Sequence, residues 1–297
     1  RAPLPLSPLS CPHVFPVYNT SMIITLTSDF GLHDHYVGVM KGVMLSIAPE
    51  ASLVDLSHAI PAQDVRTAAY VVYAAQPYFP DDTVHLVVVD PGVGTHRLPI
   101  AVQTPQALFV GPDNGVFTYV MADAPRWSAV ALSNPGYRLA HVSQVFHGRD
   151  IFAPAAAHLS IGVNLDRLGS PVENPVRLQL PYLVPGREEL KGEVLHVDRF
   201  GNVVTSIGRL RWSDEELVLR PAFQPDPAPE LRFPAGTAEV EIAGQVLGGI
   251  EPTYGAVAVG EMVTLVGSSG FLEVAVRQGS AAKRLGVSPG AAVIVRI

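Results

Sequence analysis

The sequence predicts an α/β N-terminal domain with a mainly parallel sheet, followed by an all-β, barrel-like C-terminal domain. Strand-like and helix-like runs alternate through the first part of the chain, and after about residue 180 helical periodicity nearly vanishes while short β-rich runs recur. The 297 residues are 48% hydrophobic and 16% charged, enough apolar material for real cores, which excludes disorder, collagen or a coiled coil for the whole chain.

Residues 1–21 contain five prolines and no continuous apolar stretch, and read as a flexible extension, with Met22 opening the globular unit. Residues 22–27 form a β-branched run that leaves through Ser28-Asp29-Phe30-Gly31. Val37, Met40, Met44 and Ile47 share one helix face, with Asp34 near the start and Pro49 stopping it. The theme repeats with a strand at 52–56, a helix at 64–75 and a continuous apolar strand at 84–89, as expected where both sheet faces are covered. A later helix is predicted over 150–160, closed by Gly162. These elements place an α/β domain over 22–183.

Pro181, Pro185 and Gly186 mark a linker, and the second domain spans 190–297. Its predicted strands cover 192–197, 203–207, 217–219, 239–242, 262–266, 271–276 and 292–297, with one helical stretch at 281–285. The Pro-rich run 220–234 reads as an exposed loop.

Composition removes several function classes. Twenty Lys and Arg against 27 Asp and Glu give a formal charge of −7, and the basic residues are scattered, so no nucleic-acid partner is expected. Cys11 is the single cysteine, so an intrachain disulfide and a CxxC site are both excluded. No apolar run approaches the roughly 20 residues needed to span a bilayer. A soluble, cytoplasmic protein with no membrane partner is expected.

Ligands of open α/β sheets gather at the carboxyl ends of strands, where Asp29, Asp55 and Asp90 are placed. Asp29 reads either as an acceptor for a ribose diol or as an Asx turn or helix cap; Asp55 reads as structural. In Asp90-Pro91-Gly92-Val93-Gly94-Thr95-His96-Arg97 an acid leaves a buried strand into a Gly-rich loop carrying a guanidinium. Asp90 and Arg97 either hold a water between them or close the loop as an ordinary ion pair. His147, in Phe146-His147-Gly148-Arg149-Asp150, has a pKa range suited to proton handling, or is structural.

His33 and His35 diverge at a helix start and lack an HExxH or Cys cluster, so they read as solvated and no metal site is expected. Gly111-Pro112-Asp113-Asn114-Gly115 reads first as turn chemistry, with a place near a ligand as the other reading, and no GxSxG elbow supports a covalent nucleophile. In the second domain, Asp198-Arg199-Phe200-Gly201-Asn202 offers an acid, a stacking ring and an amide able to read an adenine edge, or is a hairpin turn. Tyr254 stacks on a base or packs. Gly267-Ser268-Ser269-Gly270 with Glu273 either binds a carboxylate and an ammonium or forms a tight turn.

In chain order, Thr27-Ser28-Asp29-Phe30-Gly31, Asp90-Pro91-Gly92-Val93-Gly94, Gly111-Pro112-Asp113-Asn114-Gly115, Phe146-His147-Gly148-Arg149-Asp150, Asp198-Arg199-Phe200-Gly201-Asn202 and Gly267-Ser268-Ser269-Gly270 together resemble the S-adenosyl-L-methionine (SAM) hydroxide adenosyltransferase family, hydrolytic relatives of fluorinase and chlorinase. The likeness covers residues 22–297. It implies an enzyme that hydrolyses SAM to adenosine and L-methionine, with SAM as substrate, no separate cofactor, and a homotrimer whose sites lie between subunits. It further implies that Asp90, Arg97 and His147 orient the water and that Asp29 holds the ribose hydroxyls. Asp198, Phe200, Asn202 and Tyr254 would serve adenosine and methionine, and Ser269 and Glu273 the amino-acid end. Halide transfer is the alternative within the family, and a non-catalytic SAM or adenosine sensor the alternative outside it. The short loop after Asp90, and Phe146-His147-Gly148 in place of a halide pocket, favour hydroxide.

Overall fold

The computed structural model describes residues 23–223 and 230–297; the expected extension 1–21, Met22 and Cys11 lie outside them. The first half runs β1 (Ile23–Ser28), α1 (Tyr36–Ile47), β2 (Ser52–Ser57), α2 (Val65–Ala75), β3 (Thr83–Val88), β4 (Pro99–Gln103), β5 (Ala107–Pro112), α3 (Thr118–Asp123), β6 (Ser128–Ala131) and α4 (Ala153–Ser160). Its sheet has the order β2-β1-β3-β5-β4-β6, parallel from β2 to β5, with β4 antiparallel to both neighbours.

Alternation of side chains along each strand feeds two cores. Ile24, Leu26, Leu86 and Val88 meet Met40 and Met44 of α1 and the alanine-rich α4 on one face. Val87, Val89 and Phe109 meet Ala68, Val72 and Tyr73 of α2 and Tyr119 of α3 on the other. The Asp64 carboxylate starts α2, accepting the Thr67 N–H at 2.9 Å as an N-cap.

The second half runs β7 (Leu183–Pro185), β8 (Glu189–Val197), β9 (Val203–Gly208), β10 (Leu210–Ser213), β11 (Glu216–Leu219), β12 (Leu231–Pro234), β13 (Glu239–Ile242), β14 (Gln245–Gly248), β15 (Met262–Val266), β16 (Phe271–Val276), α5 (Ala281–Leu285) and β17 (Ala292–Arg296). The antiparallel path β14-β13-β17-β8-β9-β16-β15 curls toward closure, because the Glu251 N–H after β14 reaches the Thr264 carbonyl of β15 at 2.7 Å. β10, β11 and β12 form a separate three-stranded sheet.

The predicted exposed loop over 220–234 is corrected at both ends. Pro221, Ala222 and Phe223 are buried, and 231–234 is strand β12; the run 224–229 between them lies outside the described residues. Phe223 lies 4.7 Å from Tyr73 and 4.9 Å from Tyr119, ring centre to ring centre, and stacks on Phe271. An aromatic ring inside a proline-rich segment is an anchor, since burying it recovers far more apolar area than its neighbours need exposed. The two halves share this core: Leu195, Val204, Phe223 and Phe271 pack with Tyr70, Tyr73 and Tyr119.

Candidate functional site

β1 and β3 are adjacent and parallel, so Asp29 and Asp90, which follow their carboxyl ends, come to the same edge of the sheet. Two tight turns then fold the chain after Asp90 back on itself: Val93 N–H reaches the Asp90 carbonyl at 3.3 Å and Thr95 N–H the Gly92 carbonyl at 3.1 Å. Gly94 takes φ +76°, and a Cβ there would come within 2.7 Å of the Gln144 carbonyl, so only glycine fits. Arg97 thereby returns to Asp90.

Its guanidinium donates Nε to both Asp90 oxygens, at 2.9 and 3.1 Å, and Nη2 to Asp90 Oδ2 and, at 2.7 Å, to His147 Nδ1. The Asp90 and Arg97 side chains are only 6% and 8% exposed, which sets this pair apart from a solvated loop closure. The Arg97 plane lies 5.2 Å from the Phe152 ring centre, and its Nη1 is buried without a hydrogen-bond partner among the described residues.

His147 is placed by a single π turn, Gly148–Phe152, which precedes α4; the predicted helix over 150–160 is thus split into two geometries. The buried Asp150 carboxylate secures this segment, accepting the Ser143 N–H at 2.8 Å and pairing with Arg149. Burial, and after it the Arg97 cation, hold the His147 pKa below its ordinary value. Because a guanidinium can only donate, Nδ1 of this neutral ring is the acceptor and Nε2 carries the proton.

Asp29, Asp90 and His147 line one cleft of about 280 Å³ together with Phe30, Gln63, Val145, Phe146 and others. Arg97 lies behind it, touching Asp90 and His147 without lining it. Asp29 Oδ2 accepts the Gln63 N–H at 2.8 Å, and Asn114 donates Nδ2 to the Val89 carbonyl at 2.9 Å, fixing the strand end just before Asp90. Gln63 carries no motif signal at all. Asn114 lies in a run that reads first as a turn, and it is not among the sequence-predicted site residues.

The second-domain candidates form another group. Asp198 closes its turn by accepting the N–H groups of Phe200 and Asn202, at 2.9 and 2.8 Å, and the Asn202 amide at 3.0 Å. Phe200 is left 75% exposed beside this turn. Tyr254 donates its hydroxyl to Glu273 Oε1, and Ser269 Oγ lies 3.2 Å from the Tyr70 hydroxyl. Burial pushes the Glu273 carboxyl above its ordinary value, the Tyr254 hydrogen bond opposing this and the Asp198 charge adding to it. None of these six residues lines the cleft that holds Asp29 and Asp90.

His33 and His35 are exposed at the start of α1, and among the described residues no group of three or more His, Cys, Asp or Glu side chains is arranged to hold a metal ion. No helix among the described residues is long and apolar enough to cross a membrane.

Comparison with known proteins adds a lineage to this geometry. Residues 24–169 match the family profile described as the SAM hydroxide adenosyltransferase N-terminal domain, and residues 192–294 that of its C-terminal domain. A protein named (R)-S-adenosyl-L-methionine hydrolase from Thermus thermophilus is 43% identical over 273 residues, covering 89% of this chain and 95% of the relative. Its namesake from Salinispora tropica is 40% identical, covering 90% and 95%. A relative named fluorinase, from an Actinoplanes species, is 28% identical over 64% of this chain and 73% of its own. The crystal structure of an uncharacterized conserved protein from Thermotoga maritima superposes with a TM-score of 0.79 at 36% identity, covering 93% of this chain and all of that one. With both halves matched and identity sustained over nearly the whole length, the chain belongs to the SAM hydroxide adenosyltransferase family.

Proposed function

We propose that this chain hydrolyses S-adenosyl-L-methionine to adenosine and L-methionine by in-line attack of water on the ribose C5′. The observation that carries the reading is that Asp29, Asp90 and His147 line one cleft while a buried guanidinium ties the last two together. The names of the relatives matched along most of the chain support it independently.

The chemistry makes one demand. The C5′–S bond breaks with its electron pair going to sulfur, and a sulfonium leaves readily without help from a cofactor or metal. Water, by contrast, is a weak nucleophile, so the residues must orient it and take its proton as the O–C5′ bond forms. Asp90 is the acceptor: Arg97 occupies one side of its carboxylate, and lone pairs remain toward the cleft. His147 offers Nε2–H as a donor that fixes the water's second lone pair. Arg97 fixes the Asp90 carboxylate in place and holds His147 in that tautomer, acting on the water through these two side chains.

The Asp29 carboxylate takes the ribose diol. Asp198, Phe200, Asn202 and Tyr254 serve adenosine and methionine, and Ser269 and Glu273 the amino-acid end. Since none of them lines the cleft of their own chain, they complete the site of a neighbouring copy in a homotrimer working in the cytoplasm.

The fluorinase relatives support halide transfer as a second reading. Chromatography of SAM incubated with chelator-treated protein, with and without chloride, separates the cases. Hydrolysis yields adenosine and methionine in equal amounts under all conditions. 5′-Chloro-5′-deoxyadenosine would mean halide transfer, binding without product a sensor, and loss of turnover on chelation a metal enzyme.

A further inference from the structure

Beside the cleft, a chain of hydrogen bonds is left unused by the proposed chemistry. Lys41 donates Nζ to Asp55 Oδ2 at 2.6 Å, His58 Nε2 donates to Asp55 Oδ1 at 2.9 Å, and the Ser28 hydroxyl meets His58 Nδ1 at 2.7 Å. Acid, imidazole and hydroxyl follow the order of an activated serine, but Ser28 is fully buried and its Oγ also accepts the Phe30 N–H at 3.3 Å. No substrate reaches that hydroxyl.

What the network does is hold a loop. The His58 carbonyl accepts the Gly31 N–H at 2.8 Å, so one residue grips both ends of the turn, its ring at Ser28 and its backbone at Gly31. Asp29 lies between these grips, and its Oδ2 is held by the N–H of Gln63, on the same segment as His58. Asp55 and Lys41 in turn fix which His58 nitrogen carries the proton and how the ring is rotated.

We propose that His58 is a positioning residue for substrate recognition: anchored through Asp55 to Lys41, it fixes the turn that aims the Asp29 carboxylate into the cleft. This rests on the reading of Asp29 as the acceptor for the ribose diol. A network of this kind acts on affinity for the sugar, and specifically on the preference for ribose over 2′-deoxyribose, while leaving the water-orienting set alone.

The test measures kcat and KM of the full-length protein for SAM and for its 2′-deoxyribose analogue. The proteins compared are wild type, Asp29→Asn, His58→Ala, His58→Asn, Ser28→Ala and the double variant Asp29→Asn/His58→Ala. His58→Ala is expected to raise KM for SAM about tenfold and to change kcat less than about twofold, with the analogue nearly unaffected. His58→Asn, whose amide falls near the Nδ1 side of the ring, should recover part of the loss by keeping Ser28. The double variant should be no worse than Asp29→Asn alone, because both substitutions remove one interaction.

Effects that multiply in the double variant, or an equal loss on both substrates, would overturn the proposal while leaving the ribose role of Asp29 intact. If Asp29→Asn itself leaves the two substrates' ratio unchanged, the ribose reading fails and the positioning role with it. Ser28→Ala deletes a single buried hydroxyl and keeps the test decisive should His58→Ala not fold; a wild-type KM for SAM in that variant and in His58→Asn also overturns the proposal.

Discussion

Arg97 stands between Asp90 and His147, donating Nε to the carboxylate at 2.9 and 3.1 Å and Nη2 to the imidazole Nδ1 at 2.7 Å. One guanidinium thus positions both of these cleft-lining side chains. Arg97→Ala is expected to lower kcat by about a hundredfold or more while changing KM little, since the loss falls on the transition state. Arg97→Lys should rescue poorly, because a single ammonium cannot span both partners. Steady-state kinetics checks both, and unchanged turnover in the alanine variant removes Arg97 from the mechanism.

The pH profile follows from His147. Burial and Arg97 lower its pKa, so the ring stays neutral somewhat below 6.5 and loses its acceptor role once protonated. The kcat of the wild type should therefore hold through neutrality and fall on the acid side of that value. Removing the Arg97 charge takes away the largest lowering cause after burial, so the acid limb of residual Arg97→Ala activity should move upward in pH. An acid limb that stays in place in this variant would contradict the assignment.

Acid stability has a separate source. His85 is buried in the sheet, its Nδ1 on Thr25 at 2.7 Å and its Nε2 without a hydrogen-bond partner among the described residues, and burial lowers its pKa from 6.5 to about 4. The unfolded chain takes up this proton near 6.5 and the folded chain only near 4, so between these values the unfolded state binds more protons. Stability from the neutral ring is complete above about 6.5 and is lost as the pH falls toward 4, by about 3 kcal/mol in all. Thermal unfolding of wild type and His85→Phe between these limits should show the variant with the shallower slope.

Phe223 anchors the proline-rich segment among Tyr73, Tyr119 and Phe271. Phe223→Ala should destabilise the protein by about 3 kcal/mol, with the cleft residues untouched. A lower Tm with unchanged KM is the expected result in calorimetry and kinetics.

The alternation of strand-like and helix-like runs made the parallel strands β1, β2 and β3 legible, β3 most clearly because a strand buried on both faces reads as a nearly continuous apolar stretch. β5 escaped for a local reason: Gly111-Pro112 signals a turn and does end the strand, yet that signal hides the fully buried residues before it. β4 and β6 are short antiparallel strands, β10, β12 and β14 are four residues each, and α3 is six, too few for a period to emerge. At the site, Asp29, Asp90 and His147 could be picked out as polar groups at strand ends or before a helix. The meeting of Arg97 with His147 joins residues 50 apart, and no spacing rule reaches that far. Gln63 contributes a backbone N–H, which every residue but proline owns.

The aromatic core common to both halves carries a dynamic consequence. Tyr73, Tyr119, Phe223 and Phe271 interlock across the junction, and Arg66–Glu193 and Arg209–Asp123 ion pairs bolt its rim. Bending one lobe over the other, the jaw-like closure of many two-lobed enzymes, would tear that packing apart. Within one chain, changes in the shape of the cleft are left to the short loops that line it, those bearing Phe30, Gln63 and Val145.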